Sequence, residues 1–301
     1  MKPIKREVPM LGTASYKVQR RILIGTFLLA PLALLFVFTL LPVLNMFYYS
    51  LLEWKGLGDN TRFVGLGNYS RIFSNPEYFS VLTVSLYYLL GTFLQLALAL
   101  FFATLISYGV RFREFFKGVM FFPFLMNGVA IGFIFLYFYR PDGTLDSFLR
   151  LIGAGDAVRY WLRNPGLINI SLAATSVWRY MGFNFVIFLG AIQSIPGEIY
   201  DAAAIDGANK WQQFLYIIYP SIKRIVQLNL ILAINGAISV FEIPYIMTGG
   251  NNGSRTFVIQ TVETAFKYNK FGLASAMAVV LFFIVLLVTG MQNLFFKKED
   301  Q

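Results

Sequence analysis

The chain has 301 residues, 57% of them apolar and 13% charged, where soluble domains sit near half apolar and a quarter charged. It contains no cysteine and no histidine, which excludes disulfides, thiolate nucleophiles, imidazole bases and the usual zinc or iron ligands. The formal charge of +10 is scattered through short loops and forms no stripe, a distribution that suits a cytoplasmic membrane surface and not a nucleic acid.

A helix that crosses the hydrocarbon takes about 20 mostly apolar residues. Residues 1–21 read as a cytoplasmic tail, and the apolar run behind them is too long for a cleaved signal. Spans are expected at about 22–47, 79–108, 119–139, 167–192, 225–247 and 271–296, with 298–301 as a second cytoplasmic tail. The fourth carries Arg179 and several polar side chains; it counts as a span because polar groups inside membranes face cavities. Prolines at 31, 42 and 123 fall inside or near these stretches, where neighbouring helices re-satisfy the freed backbone. The expected fold is therefore all-α and integral to the membrane.

Six spans place both ends on one side. An N-in, C-in arrangement puts fourteen basic residues inside and ten outside. The bias is modest, but Arg20 and Arg21 flank the first span, and Arg111, Arg113 and Lys117 crowd a very short loop, the positions that weigh most in orientation. Outside, residues 140–166 carry turn signals at Pro141–Gly143 and Gly153–Gly155 around an apolar stretch, which predicts a small capping helix on the membrane face.

The longest inner loop, about 193–224, is not an ordinary connector, and its stretch 194–220 carries the signals. Ser194 ahead of Pro196 predicts a helix start with Glu198 in its first turn, and Pro220 predicts a stop. Ala202, Ala203 and Ala204 are strong helix formers without bulk, and Gly207 interrupts them, so two short helices at an angle are expected. Ile205, Trp211, Phe214, Leu215 and Ile218 supply an apolar face, with acids at Asp201 and Asp206. Two readings stand on these residues alone: a small-residue helix lying deep in a groove of another protein, or an amphipathic helix lying on the membrane.

The stretch Asp201-Ala202-Ala203-x-x-x-Gly207, followed after nine residues by Ile217-x-x-Pro220, resembles the EAA loop of ABC-importer inner-membrane permeases. The run from Ala202 to Phe214 is similar to the carbohydrate-importer version. Phe63-Val-Gly-Leu-Gly-Asn-Tyr69 resembles the first outer-loop motif of maltose- and glycerol-phosphate-type permeases. Thr248-Gly-Gly with Thr256, and Phe271-Gly-Leu-Ala-Ser-Ala276, resemble their later motifs. Asp201 stands where Glu is usual, one methylene shorter, and Asn251 where Pro is common.

The resemblance, to the "F"-type subunit, covers nearly the whole chain. It implies a type I importer of two permeases, two copies of an ATPase subunit and an extracytoplasmic solute-binding protein, in the cytoplasmic membrane. The residues implied in ATPase coupling are Asp201, Ala202, Ala203, Asp206, Gly207, Trp211, Phe214 and Pro220. No Gly-x-x-x-x-Gly-Lys-Ser/Thr occurs, so ATP and magnesium are expected on the partner ATPase and no cofactor in this chain.

Polar groups in spans need a reason. The fourth span holds Trp178, Arg179, Tyr180, Phe183 and Asn184; the fifth holds Asn235, Ser239 and Glu242. Glu242 is the natural counter-charge for Arg179. Flat rings beside amides and hydroxyls suit a sugar pathway, although Trp and Tyr also form interfacial belts and Asn also binds helices together. Asn127 and Gln95 are expected in helix–helix hydrogen bonds. A basic pore would favour glycerol phosphate or another polyol; with Arg179 the one basic residue in a span, a neutral oligosaccharide is expected. An intramembrane enzyme would need paired acids, a Ser–Lys dyad or a metal cluster at depth, and a passive channel or scaffold would leave the inner loop without a purpose.

Overall fold

A computed structural model describes residues 16–56, 58 and 61–299. Helix α1 (Tyr16–Leu35) runs through a π-turn (Phe36–Leu40) into α2 (Leu41–Ser50), the first span. Pro42 explains the π-turn: it has no N–H for the carbonyl of Phe38, and the wider turn upstream accommodates its ring. A short β1–β2 ribbon (Leu52–Glu53, Arg62–Phe63) and helices α3 (Gly67–Ser74) and α4 (Glu77–Ser80) lead into α5 (Leu82–Ser107), the second span.

The third expected span, 119–139, is not one straight helix. Helices α6 (Arg113–Leu125) and α7 (Gly128–Tyr139) meet at 97°. The break follows from local chemistry: Met126 and Asn127 are extended, and the Asn127 carboxamide oxygen accepts from the Val129 N–H at 2.8 Å. Asn127 is thus the N-cap of α7 and not a helix–helix bond; a broken helix in a bilayer must recover its lost backbone bonds in this way. The segment between α7 and α9 forms α8 (Thr144–Leu151) and a single 3₁₀ turn (Gly155–Ala157). It is pinned to the bundle by Leu145, Trp161 and Leu162.

Helix α9 (Ile168–Gln193) is the central element; α5, α6 and part of α12 pack on it. Ser194 closes α9 rather than starting the next helix, its hydroxyl donating to the Ala191 carbonyl at 2.7 Å. Then come α10 (Gly197–Ile205) and α11 (Lys210–Gln213), a π-turn (Phe214–Ile218), α12 (Tyr219–Ile238) and α13 (Glu242–Thr248). Pro220 does not stop the helix as the sequence suggested. It stands at the first turn of α12 behind that π-turn, as Pro42 does behind the first. Lys210 to Thr248 thereby form one long, twice-modified element. Its second break, Ser239–Phe241, frees the Val240 carbonyl, which accepts from the Thr256 hydroxyl at 2.8 Å. Helices α14 (Phe257–Phe266) and α15 (Phe271–Glu299) complete the chain.

The buried side chains form three clusters along the bundle. One lies at the α10 end around Phe185, Phe188, Ile218 and Ile222, and one at the opposite end around Ile168, Leu172, Ile243 and Met247. The third lies between α3, α14 and α15 around Ile72, Phe257 and Met277. Helix α1 has exposed apolar side chains along its length, among them Phe27 at 74% and Leu29 at 69%; with no hydrophilic face, it requires lipid or another subunit around it.

Candidate functional site: a polar cavity and an exposed inner segment

The cavity lies between α5, α9 and α12–α13 and has a volume of about 410 Å³, within the roughly 300–1,000 Å³ of small-molecule sites. Its polar lining follows helical spacing. Helix α5 contributes Tyr88, Thr92 and Gln95, at i, i+4 and i+7; α9 contributes Ser176, Tyr180 and Asn184; α12–α13 contribute Asn229, Ser239 and Glu242. The Tyr88 hydroxyl and the Asn229 carboxamide oxygen have no hydrogen-bond partner among the described residues, and in an apolar bundle such groups are held for water or a ligand.

The Arg179–Glu242 pairing expected from the sequence is present: the guanidinium donates to the Glu242 carboxylate. Arg179 is 12% exposed and Glu242 39%, so the cation is sunk in protein while the acid reaches the cavity. The guanidinium also lies 5.0 Å from the Tyr180 ring centroid, a cation–π contact. Glu242 is held from two further sides. It occupies the first turn of α13, and a Cβ on Gly128, the first residue of α7, would overlap its carboxylate. Both helix starts carry the positive end of a dipole, which favours an anion there. The two broken spans thus bring the ends of their half-helices to one half-buried ion pair, the arrangement by which discontinuous membrane helices hold charge.

Of the expected pathway residues, Tyr180, Phe183, Asn184, Ser239 and Glu242 line the cavity. Three do not. Trp178 points the other way, its ring 5.1 Å from that of Phe135. Arg179 lies behind Glu242. Asn235 binds helices together, exchanging hydrogen bonds with the Thr289 hydroxyl at 3.0 and 3.2 Å. Gln95 faces the cavity rather than a neighbouring helix. Tyr88, Thr92, Ser176 and Asn229 went unread in the sequence; the i, i+4, i+7 spacing of Tyr88, Thr92 and Gln95 was the available signal.

At one end of α9 stands the inner segment. No residue of α10 is buried, and Ile205 at 87% and Trp211 at 66% are among its exposed apolar side chains. Gly207 makes the turn in the left-handed region, φ +79°, which only glycine adopts freely. Asn209 then caps α11 through a reciprocal capping box with Gln212. Trp211 stacks on Phe214 at 5.5 Å, and Phe214, Tyr200 and Ile218 seat the segment on the inner cluster. Tyr108, just beyond α5, ties it laterally: its hydroxyl donates to the Lys210 carbonyl at 3.0 Å, and the Lys210 ammonium lies 4.5 Å from its ring centroid. Among the described residues no ion pair involves Asp201 or Asp206.

Residues 95–301 match the family described as binding-protein-dependent transport system inner membrane component. The chain belongs to that family. Among its relatives, the arabinooligosaccharides transport system permease protein AraP of Bacillus subtilis is 33% identical over 270 residues, covering 86% of this chain and 84% of that protein. The probable ABC transporter permease protein YurN of the same organism is 32% identical over 280 residues, covering 90% and 96%. A subunit in the crystal structure of a bacterial alginate ABC transporter, in complex with alginate pentasaccharide-bound periplasmic protein, superposes with a TM-score of 0.79 at 18% identity, covering 92% and 94%; that likeness concerns the fold. This permease is a multi-pass membrane protein and a transport subunit.

Proposed function

We propose that the chain forms half of the pathway of an ATP-binding-cassette importer for a neutral sugar, with an oligosaccharide the best fit. The observation that carries the substrate class is the cavity's charge balance. Its hydroxyls, amides and aromatic faces suit sugar hydroxyls and C–H surfaces, while Arg179 is already taken up by Glu242. A phosphate-bearing solute such as glycerol phosphate would need a free cation there. The AraP relationship supports an oligosaccharide.

The same reading gives α10 and α11 to the ATPase partner. Asp201, Ala202, Ala203, Asp206, Gly207, Trp211 and Phe214 form or support an exposed, small-residue surface that its own chain leaves uncovered, and Pro220 shapes the π-turn that joins it to α12. Two ATPase copies carrying ATP and magnesium, a second permease against the uncovered first span and an extracytoplasmic binding protein complete the importer, with α10 at the cytoplasmic end and both termini inside. The test is ATP hydrolysis by the reconstituted complex against a panel of oligosaccharides, polyols and sugar phosphates, each delivered with its binding protein. Stimulation by a neutral oligosaccharide is expected; stimulation by sugar phosphates alone would overturn the substrate class.

A further inference from the structure

At the end of α9 opposite α10, the segment between α7 and α9 forms a second, separate and open cleft of about 780 Å³. Helix α9 has 26 residues, so the two ends lie about 39 Å apart at 1.5 Å per residue. Three arginines line the cleft, and their partners divide them. Arg150 is bound to the Asp142 carboxylate at 2.7 Å. The other acid, Asp146, is 1% exposed and accepts from the Trp161 indole N–H at 2.8 Å and the Asp142 backbone N–H at 2.9 Å. Arg159 is braced by the carbonyls of Asp156 and Val158 at 2.6 and 2.8 Å, with no carboxylate partner among the described residues. Among the described residues Arg163 is exposed and has no ion pair. The cleft therefore offers two unneutralised guanidinium groups beside the exposed Tyr160 ring.

The cleft shares no residue with the polar cavity, so a solute in transit has no need to enter it. What must land on this end, in a binding-protein-dependent system, is a protein, and Arg beside Tyr is the composition that interface centres favour. It is also hydrogen-bonded to the bundle. Leu162 and Trp161 accept, through their carbonyls, from Asn252 at 3.3 Å and Ser171 at 3.4 Å, and Asn169 donates to the Gly253 carbonyl at 3.0 Å. The cleft is thereby tied to α9, which carries Arg179, and to the loop that follows α13, which carries Glu242.

We propose that Arg159 and Arg163 receive a surface carboxylate of the extracytoplasmic binding protein, so that docking bears on the two elements that hold the Arg179–Glu242 ion pair. This rests on the transport reading above. In nanodiscs, the probe is the binding protein that stimulates ATP hydrolysis by the wild-type complex, with hydrolysis in its absence read in parallel. Arg163→Glu should raise the half-stimulating concentration about tenfold, and Arg163→Gln by less, without changing unstimulated hydrolysis. Adding salt should weaken wild-type docking more than that of Arg163→Glu. An acidic residue of the binding protein changed to lysine should restore the Arg163→Glu complex. Unchanged half-stimulating concentrations in Arg163→Glu and in the double Arg159→Glu/Arg163→Glu variant would overturn the inference while leaving the transport reading intact. Arginine-dependent binding of a free oligogalacturonate, with unaltered docking, would overturn it in favour of an acidic sugar. A wild-type complex that no binding protein stimulates would overturn the transport reading and this inference together.

Discussion

The polar cavity and the inner segment treat charge in opposite ways. Beside the cavity, the Arg179 guanidinium is matched within the chain by Glu242, and the ends of two half-helices hold that acid in place. In the inner segment, Asp201 and Asp206 stand in solvent with no ion pair among the described residues, beside Ile205 at 87% exposure. A charge inside the bundle has no other source of compensation and must be completed within the chain. A charge at the water-facing end is free to wait for a partner. The cavity is self-completed, and the segment is completed by assembly.

Breaking the self-completed region should have the largest effect. Glu242→Ala leaves the Arg179 guanidinium unpaired, which for a fully buried pair costs about 3–5 kcal/mol, and less here because Glu242 keeps 39% exposure. Loss of folded permease in membranes, read by fluorescence-detected size exclusion, and loss of transport are the expected results. Exchanging the two charges should recover only part of this, because the exchange puts a cation at the starts of α7 and α13, where the dipoles favour an anion. Full recovery would mean that the helix ends contribute nothing.

Breaking the assembly-completed region should spare the fold. Gly207→Val meets a backbone at φ +79°, costing about 1–2 kcal/mol, and Ala203→Trp fills the exposed small-residue surface. Both should leave the permease in the membrane yet lower co-purified ATPase subunit about tenfold, as quantified by immunoblot. Wild-type recovery of the ATPase with full transport would remove the segment's assigned role.

How much of this contrast could be read from residue order differs by region. The inner segment was nearly legible, since Gly207 and the alanines are local signals; Ser194 and Pro220 misled, because a proline in the first turn of a helix and one after its end look alike without the π-turn that precedes α12. The ion pair was legible because few charges in spans leave few pairings. The cavity lining was not. Whether a polar residue faces a cavity or a neighbouring helix depends on helix rotation, so Asn235 and Trp178 were included and Tyr88, Thr92, Ser176 and Asn229 missed. The 97° bend between α6 and α7 was hidden for a different reason: Asn127 in an apolar run reads equally as glue or as a cap.

That rotational distinction is itself testable within the cavity. Gln95→Leu and Asn184→Leu each remove hydrogen-bonding groups from the lining and should raise the solute concentration for half-maximal transport about three- to tenfold, at roughly 1 kcal/mol per bond. Trp178→Ala should leave that concentration unchanged and lower the melting temperature instead, since its ring packs on Phe135 outside the cavity. A shift in solute dependence for Trp178→Ala would return it to the pathway.

The smallest effect should come from Tyr200, where the two regions' rules meet. It sits on α10, yet its hydroxyl is buried without a partner among the described residues, and burial raises its pKa above the usual 10.0. The folded state therefore holds that proton more tightly than the unfolded one. Any contribution to stability is constant below about pH 10 and falls as pH rises through the folded value. Tyr200→Phe removes an unsatisfied group at little cost in packing. Melting temperature at pH 7 should stay level or rise by about 1–2 °C, with less loss of stability above pH 10 than in wild type and unchanged transport. If transport fell instead while stability held, the hydroxyl would be a bond kept for the ATPase, and the boundary between self-completed and assembly-completed would run beneath α10 rather than along its surface.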